Sequence, residues 1–118
     1  MINAVHTVLY AEDADATRAF FRDVLGLPFA DDGGGWLIFK LPPGELGVHP
    51  TGDGATPGHE LFLMCDDLAA TMEELRAKGV TFASEVSEHR WGRLVSVVVP
   101  GGGTVGLYEP THALAYDL

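Results

Sequence analysis

The sequence predicts an α+β fold made of two tandem β-α-β-β-β units in one domain, and three observations lead there. The first is a repeat. His6 is followed seven residues later by Asp13 and twenty later by Gly26-Leu27; His59 is followed by Asp66 and Gly79-Val80 at the same intervals. The second is how each copy ends: Gly47-Val48-His49-Pro50 closes one and Leu107-Tyr108-Glu109-Pro110 the other. The third is size. With 118 residues, 47% of them hydrophobic, the chain suits one domain with a real core.

Copy one spans 1–50. It opens with a strand over 4–10. Asp13 or Asp15 then caps a helix in which Ala16, Phe20 and Val24 keep a spacing of four, widened by Phe21 and Leu25. Gly26 stops it, as a glycine suits the left-handed position after a helix. Three strands follow, over 28–31, 36–41 and 45–49. Asp31-Asp32-Gly33-Gly34-Gly35 and Pro42-Pro43-Gly44 supply the turns.

The stretch 51–58, with Gly52, Gly54 and Pro57, reads as a short linker. Copy two spans 59–110 and follows the same plan. A strand over 59–64 leads to Asp66 or Asp67 as cap. Leu68, Met72 and Leu75 then form one apolar helical stripe that ends at Gly79. Strands are expected over 81–86, 93–99 and 104–108, and a tail over 111–118.

Composition removes several function classes. A net charge of −10 repels phosphate backbones, so nucleic acid is not expected as a partner. No apolar stretch approaches the ~20 residues of a membrane helix, and the start lacks the pattern of a secretory signal. A cytoplasmic location without membrane contact is the expectation. Cys65 is the single cysteine, so no intrachain disulfide is available. Beside Asp66 and Asp67 it reads as a small structural residue rather than a thiolate. His89 and His112 read as surface residues.

The residues also resemble a known family. His6 to Asp13 and then Phe20-Phe21-Arg22-Asp23-Val24-Leu25-Gly26-Leu27 look like the opening of vicinal-oxygen-chelate proteins, the glyoxalase, bleomycin-resistance and extradiol-dioxygenase group. Gly58 to Leu68 resembles the second opening, and Trp91-Gly92 with Leu107-Tyr108-Glu109-Pro110 the last hairpin and closing strand. The resemblance covers nearly the whole chain. It implies a curled half-barrel of mixed sheet with helices outside, enclosing a cleft between the copies. It also implies homodimers, and in metal-using members a divalent ion held from both copies.

The implied first-strand ligands fall on His6 and His59, and imidazole suits nickel, zinc or iron. The implied fourth-strand ligands fall on Leu46 and Gly106, which carry no donor. Glu109 and His49 each lie three residues past those positions, and Glu45 lies one before. In a regular strand all three face away from the cleft; a bulge or strand end re-aims such residues. Glu109 or His49 is the candidate third metal ligand, and Glu109 the candidate base.

Two readings therefore stand. One is a metal-free protein that binds an apolar or aromatic small molecule. The other is a divalent-metal lyase, isomerase or dioxygenase using His6, His59 and Glu109 with nickel, zinc, iron or manganese on a substrate with vicinal oxygens. The parity of the two histidines puts Tyr10, Leu46, Val48, Leu61 and Tyr108 in the cleft lining. The same side chains equally suit a filled core. His49 joins the lining if the strand end turns it, and Trp36 and Trp91 either lid the cleft or cover core edges.

Overall fold

A computed structural model describes residues 6–45, 47 and 59–117. The fold is α+β. Helix α1 (Ala14–Ala19) runs directly into a π-helical turn over Phe20–Val24. Strands β1 (Phe29–Asp31) and β2 (Leu37–Phe39) form an antiparallel hairpin. Strand β3 (Phe62–Met64) leads to helix α2 (Leu68–Ala77). Strands β4 (Ser87–His89), β5 (Gly92–Val98) and β6 (Thr104–Pro110) follow. The second sheet has the order β3-β6-β5-β4, with β3 parallel to β6 and the other pairs antiparallel.

Local chemistry sets the helix ends. The Asp13 carboxylate accepts the Ala16 N–H at 3.1 Å, and Asp67 accepts that of Ala70 at 3.0 Å. Gly26 and Gly79 follow the helices at φ +67° and +85°, where a side chain is disfavoured. In the π turn the Leu25 N–H reaches the Phe20 carbonyl, one residue farther than an α-helix allows. That turn aims both Phe20 and Phe21 into the core.

One core serves both halves. On the helix face of the four-stranded sheet, Val95, Val97, Val99, Val105 and Leu107 pack with Leu68, Met72 and Leu75 of α2 and with Phe20 and Phe21. Alternation along β5 and β6 makes this face the buried one. Helix α1 docks on the β5–β6 turn: the Asp13 N–H donates to the Gly101 carbonyl at 3.0 Å, and the Thr17 hydroxyl to that of Pro100 at 2.9 Å. The fit is close. A Cβ on Gly101, which sits at φ +73°, would lie 2.5 Å from the Asp13 carbonyl oxygen.

The sequence expectations meet three departures. Residues 6–10 form no strand, because no neighbouring ladder pairs with them among the described residues. The strand expected over 81–86 is reduced to a bridge between Phe82 and Val97. There the Ser84 hydroxyl, not a carbonyl, accepts the Ser96 N–H at 3.0 Å, and regular pairing starts only at Ser87. Glu45 and Gly47 lie outside any strand, and Leu46, Val48, His49 and the linker are outside the described residues. Among the described residues, then, the sheets are two separate open pieces. No helix among the described residues is long and apolar enough to cross a membrane.

Candidate functional site

The sheet has a second face, and aromatic side chains mark it. Register puts Phe62 beside Gly106, and Met64 and Leu94 beside Tyr108, all opposite the face that meets α2. Tyr108 is the hub. The rings of Phe62 and Trp91 meet it edge-on at 5.8 and 5.5 Å, and His89 stacks flat on Trp91 at 4.6 Å. Phe62 and Trp91 each keep 37% of their surface open. A rigid aromatic wall with exposed rings is suited to holding a flat organic molecule.

Polar groups converge at the edge of this wall. The Tyr108 hydroxyl donates to Oε1 of Glu45 at 3.2 Å, and Nε2 of His112 lies 3.4 Å from both. Oε2 of Glu45 accepts the Ala115 N–H at 2.9 Å. The Glu45 side chain is only 13% exposed. Burial, followed by the contact with Glu45, pushes the Tyr108 phenol above its usual range. The C-terminal tail, with a single 3-10 turn over Ala115–Asp117, is thus tied to the end of the first half.

The residues singled out from sequence are dispersed. Tyr108 and Trp91 are on this wall. Tyr10 is 91% exposed, over a depression of about 520 Å³ at the β5–β6 turn beside Val98 and Gly101. Trp36 lies under the Arg18 guanidinium at 5.0 Å, against α1. Leu61, expected in the lining, packs with the core instead, because the parallel register puts Phe62 on the open face. His6 and His59 are both exposed. Leu46, Val48 and His49 are outside the described residues.

Glu109 faces the helix side, as Leu107 does, and its Oε1 accepts the Leu68 N–H at 3.0 Å, satisfying an otherwise free amide of α2. Burial pushes the Cys65 thiol up, and the charges of Glu109 and Asp66 add to this, so it is no ready nucleophile.

Sequence reasoning missed Phe62, Glu45 and His112 as a group. Glu45 was set aside by strand parity, which does not apply because it is not in a strand. Tyr108 and His112 are four residues apart across Pro110, a spacing that allows a turn back to the same ring.

Comparison with known proteins decides the family. Residues 3–114 match the Glyoxalase/Bleomycin resistance protein/Dioxygenase superfamily. The chain belongs to this superfamily. Solved structures agree with the assignment. A lactoylglutathione lyase from Agrobacterium tumefaciens is 25% identical, with 92% of this chain and 94% of that one covered and a TM-score of 0.60. An antibiotic binding protein from a Streptomyces species is also 25% identical, with 94% and 100% covered and a TM-score of 0.62. A superfamily member from Sphaerobacter thermophilus, at 24% identity, covers 92% and 98% with a TM-score of 0.62 and supports the fold. Among curated proteins, none matches the chain.

The superfamily's divalent ion can be tested against this chain's own donors. Position 106, where the resemblance places a carboxylate, is glycine, and the Phe62 ring occupies the space a Cβ there would need. Glu109 is engaged by the α2 amide. Among the described residues no three histidine, cysteine, aspartate or glutamate side chains converge. The donors described here do not form the set that the resemblance implies.

Proposed function

We propose that the protein binds a small apolar or aromatic molecule in the cleft between its two β-α-β-β-β units, on the wall of Phe62, Trp91 and Tyr108. The observation that carries this is the Phe62 ring lying over Gly106: an aromatic surface stands where the superfamily resemblance puts a metal carboxylate. The likeness to an antibiotic binding protein supports it. The units are 1–50 and 59–110, joined through 51–58 in one domain, and the cytoplasm is their compartment.

The test is fluorescence titration of a Trp36→Phe chain, in which Trp91 is the remaining indole. Planar aromatic ligands should quench Trp91 saturably, and Phe62→Ala should weaken binding about tenfold, the value of one good aromatic contact. A flat titration across a panel of aromatic antibiotics, catechols and thiol adducts retires the proposal.

The binding unit is a homodimer. Tyr10, Trp36, Phe29 and Ile38 leave apolar surface open in the first half, and a second copy is an economical cover. Sedimentation at micromolar concentration reads this directly, and a single monomeric species rejects it.

A second reading has its own support. His6 and His59 hold matched places in the repeat, and a lactoylglutathione lyase is among the similar structures. In that reading His6, His59 and Glu109 serve a divalent-metal lyase, isomerase or dioxygenase acting on vicinal oxygens, and Glu109 must first leave the Leu68 amide. Metal analysis discriminates: a stoichiometric ion lost in the His6→Ala/His59→Ala double variant favours the enzyme.

A further inference from the structure

We propose that Glu45 is the anchor for a cationic N–H donor on the ligand, and that the C-terminal tail occupies this anchor in the ligand-free protein. The ligand class is a flat aromatic bearing an amine or amidine. The inference rests on the binding-site reading of the aromatic wall and names the chemistry that wall selects.

The geometry leads there in steps. A carboxylate that is 13% exposed needs donors, and Glu45 has them. Only one, the Tyr108 hydroxyl, belongs to the sheet. Among the described residues the other donor comes from the tail, the Ala115 N–H on Oε2 at 2.9 Å; the His112 ring lies beside Oε1 at 3.4 Å and gives its Nδ1–H to the Ala113 carbonyl at 2.8 Å. The tail is pinned at its start, where the Thr111 N–H and hydroxyl donate to the Trp91 and Arg90 carbonyls, and is open beyond that point. Ala113, Ala115, Tyr116 and Asp117 are exposed, and its one turn closes through the Asp117 N–H on the Leu114 carbonyl at 3.1 Å. Its amide presents one N–H to one oxygen of Glu45, where an amidine presents two N–H donors directed at both carboxylate oxygens.

Charge and neighbours fix the sign. A cation at Glu45 stands at the hydroxyl end of Tyr108, where the carboxylate itself is the attraction. It is also drawn in by a chain of net charge −10, which repels a carboxylate ligand of the same shape. A charge-assisted donor replacing a neutral amide N–H gains on both counts.

Three probes of one shape test the idea by calorimetry on the full chain: benzamidine, neutral benzamide and anionic benzoate. Benzamidine should bind about tenfold or more tighter than benzamide, with no benzoate binding, and Glu45→Gln should remove the preference. Ala115→Pro deletes the competing N–H at a position where a helical turn tolerates proline, so benzamidine affinity should rise several-fold. Equal binding of all three probes, or a preference that survives Glu45→Gln, overturns the proposal. If Glu45→Gln does not fold, Ala115→Pro decides, and an unchanged affinity overturns it. Should benzamide and benzoate quench Trp91 as well as benzamidine does, the aromatic site stands and the anchor falls. Should no aryl probe bind, the anchor falls, and the aromatic wall is judged by the Trp91 titration across the wider ligand panel.

Discussion

Tyr108 and Glu45 are joined by a hydrogen bond of 3.2 Å across 63 positions of sequence, from the middle of β6 to the last described segment of the first half. The bond ties the polar edge of the site to its aromatic wall. Tyr108→Phe keeps the ring and removes the bond. It should cost about 1 kcal/mol of stability while leaving aromatic ligand binding within about twofold, measured by chemical denaturation and by Trp91 quenching.

The same phenol makes stability depend on alkaline pH. Its pKa is raised above the ordinary 10.0, first by burial and then by Glu45. The folded chain therefore holds that proton more tightly than the unfolded chain does. The contribution is complete below the ordinary value and is lost as pH climbs past it through the native pKa. Melting temperatures of the wild type and Tyr108→Phe should converge as pH rises above about 10. Parallel curves would show that Tyr108 does not carry the effect.

Glu109 separates structure from binding. Because its carboxylate accepts the Leu68 amide at the start of α2, Glu109→Ala should lower stability by about 1–2 kcal/mol. Glu109→Gln keeps an acceptor and should lose less. Neither change should alter aromatic binding, since Glu109 is on the helix side of the sheet. Loss of binding in a folded Glu109→Gln chain would argue for the metal-dependent reading.

Position 106 offers a sharper test. Gly106→Glu restores the carboxylate the resemblance implies, but a side chain there meets the Phe62 ring. The single variant should lose about 1–3 kcal/mol through overpacking. Adding Phe62→Ala should recover part of that loss, a non-additivity that a double-mutant cycle reads.

The core should respond in the ordinary way. Leu68 has no exposed surface, and it is where α2 first meets the sheet. Leu68→Ala should cost about 3 kcal/mol in denaturant unfolding.

The sequence was a good guide wherever local chemistry and burial agree. Asp67, Leu68, Met72, Leu75 and Gly79 outline α2 because cap, stripe and stop are all properties of neighbours in the chain. The β6 residues alternate from Thr104 to Leu107 because one face is buried, and the pattern breaks at Tyr108, which is buried on the other face. The site was less legible because it is built from register and distance. Whether Leu61 or Phe62 faces the open side depends on how β3 slides along β6, and a run of apolar residues at 61–64 does not specify that. Glu45 was discounted by counting along an assumed strand, and its role appears only once the tail folds back on it. The pairing of Phe62 with Gly106 joins residues far apart in the sequence and has no local signature.

The docking of Asp13 and Thr17 onto the β5–β6 turn makes each half dependent on the other for folding. Phe20 and Phe21 lie among valines that belong to the other half. A cut anywhere in 51–58 should therefore yield fragments that are poorly ordered apart and regain structure on mixing. Such a pair would serve as a split reporter whose reassembly a bound ligand promotes.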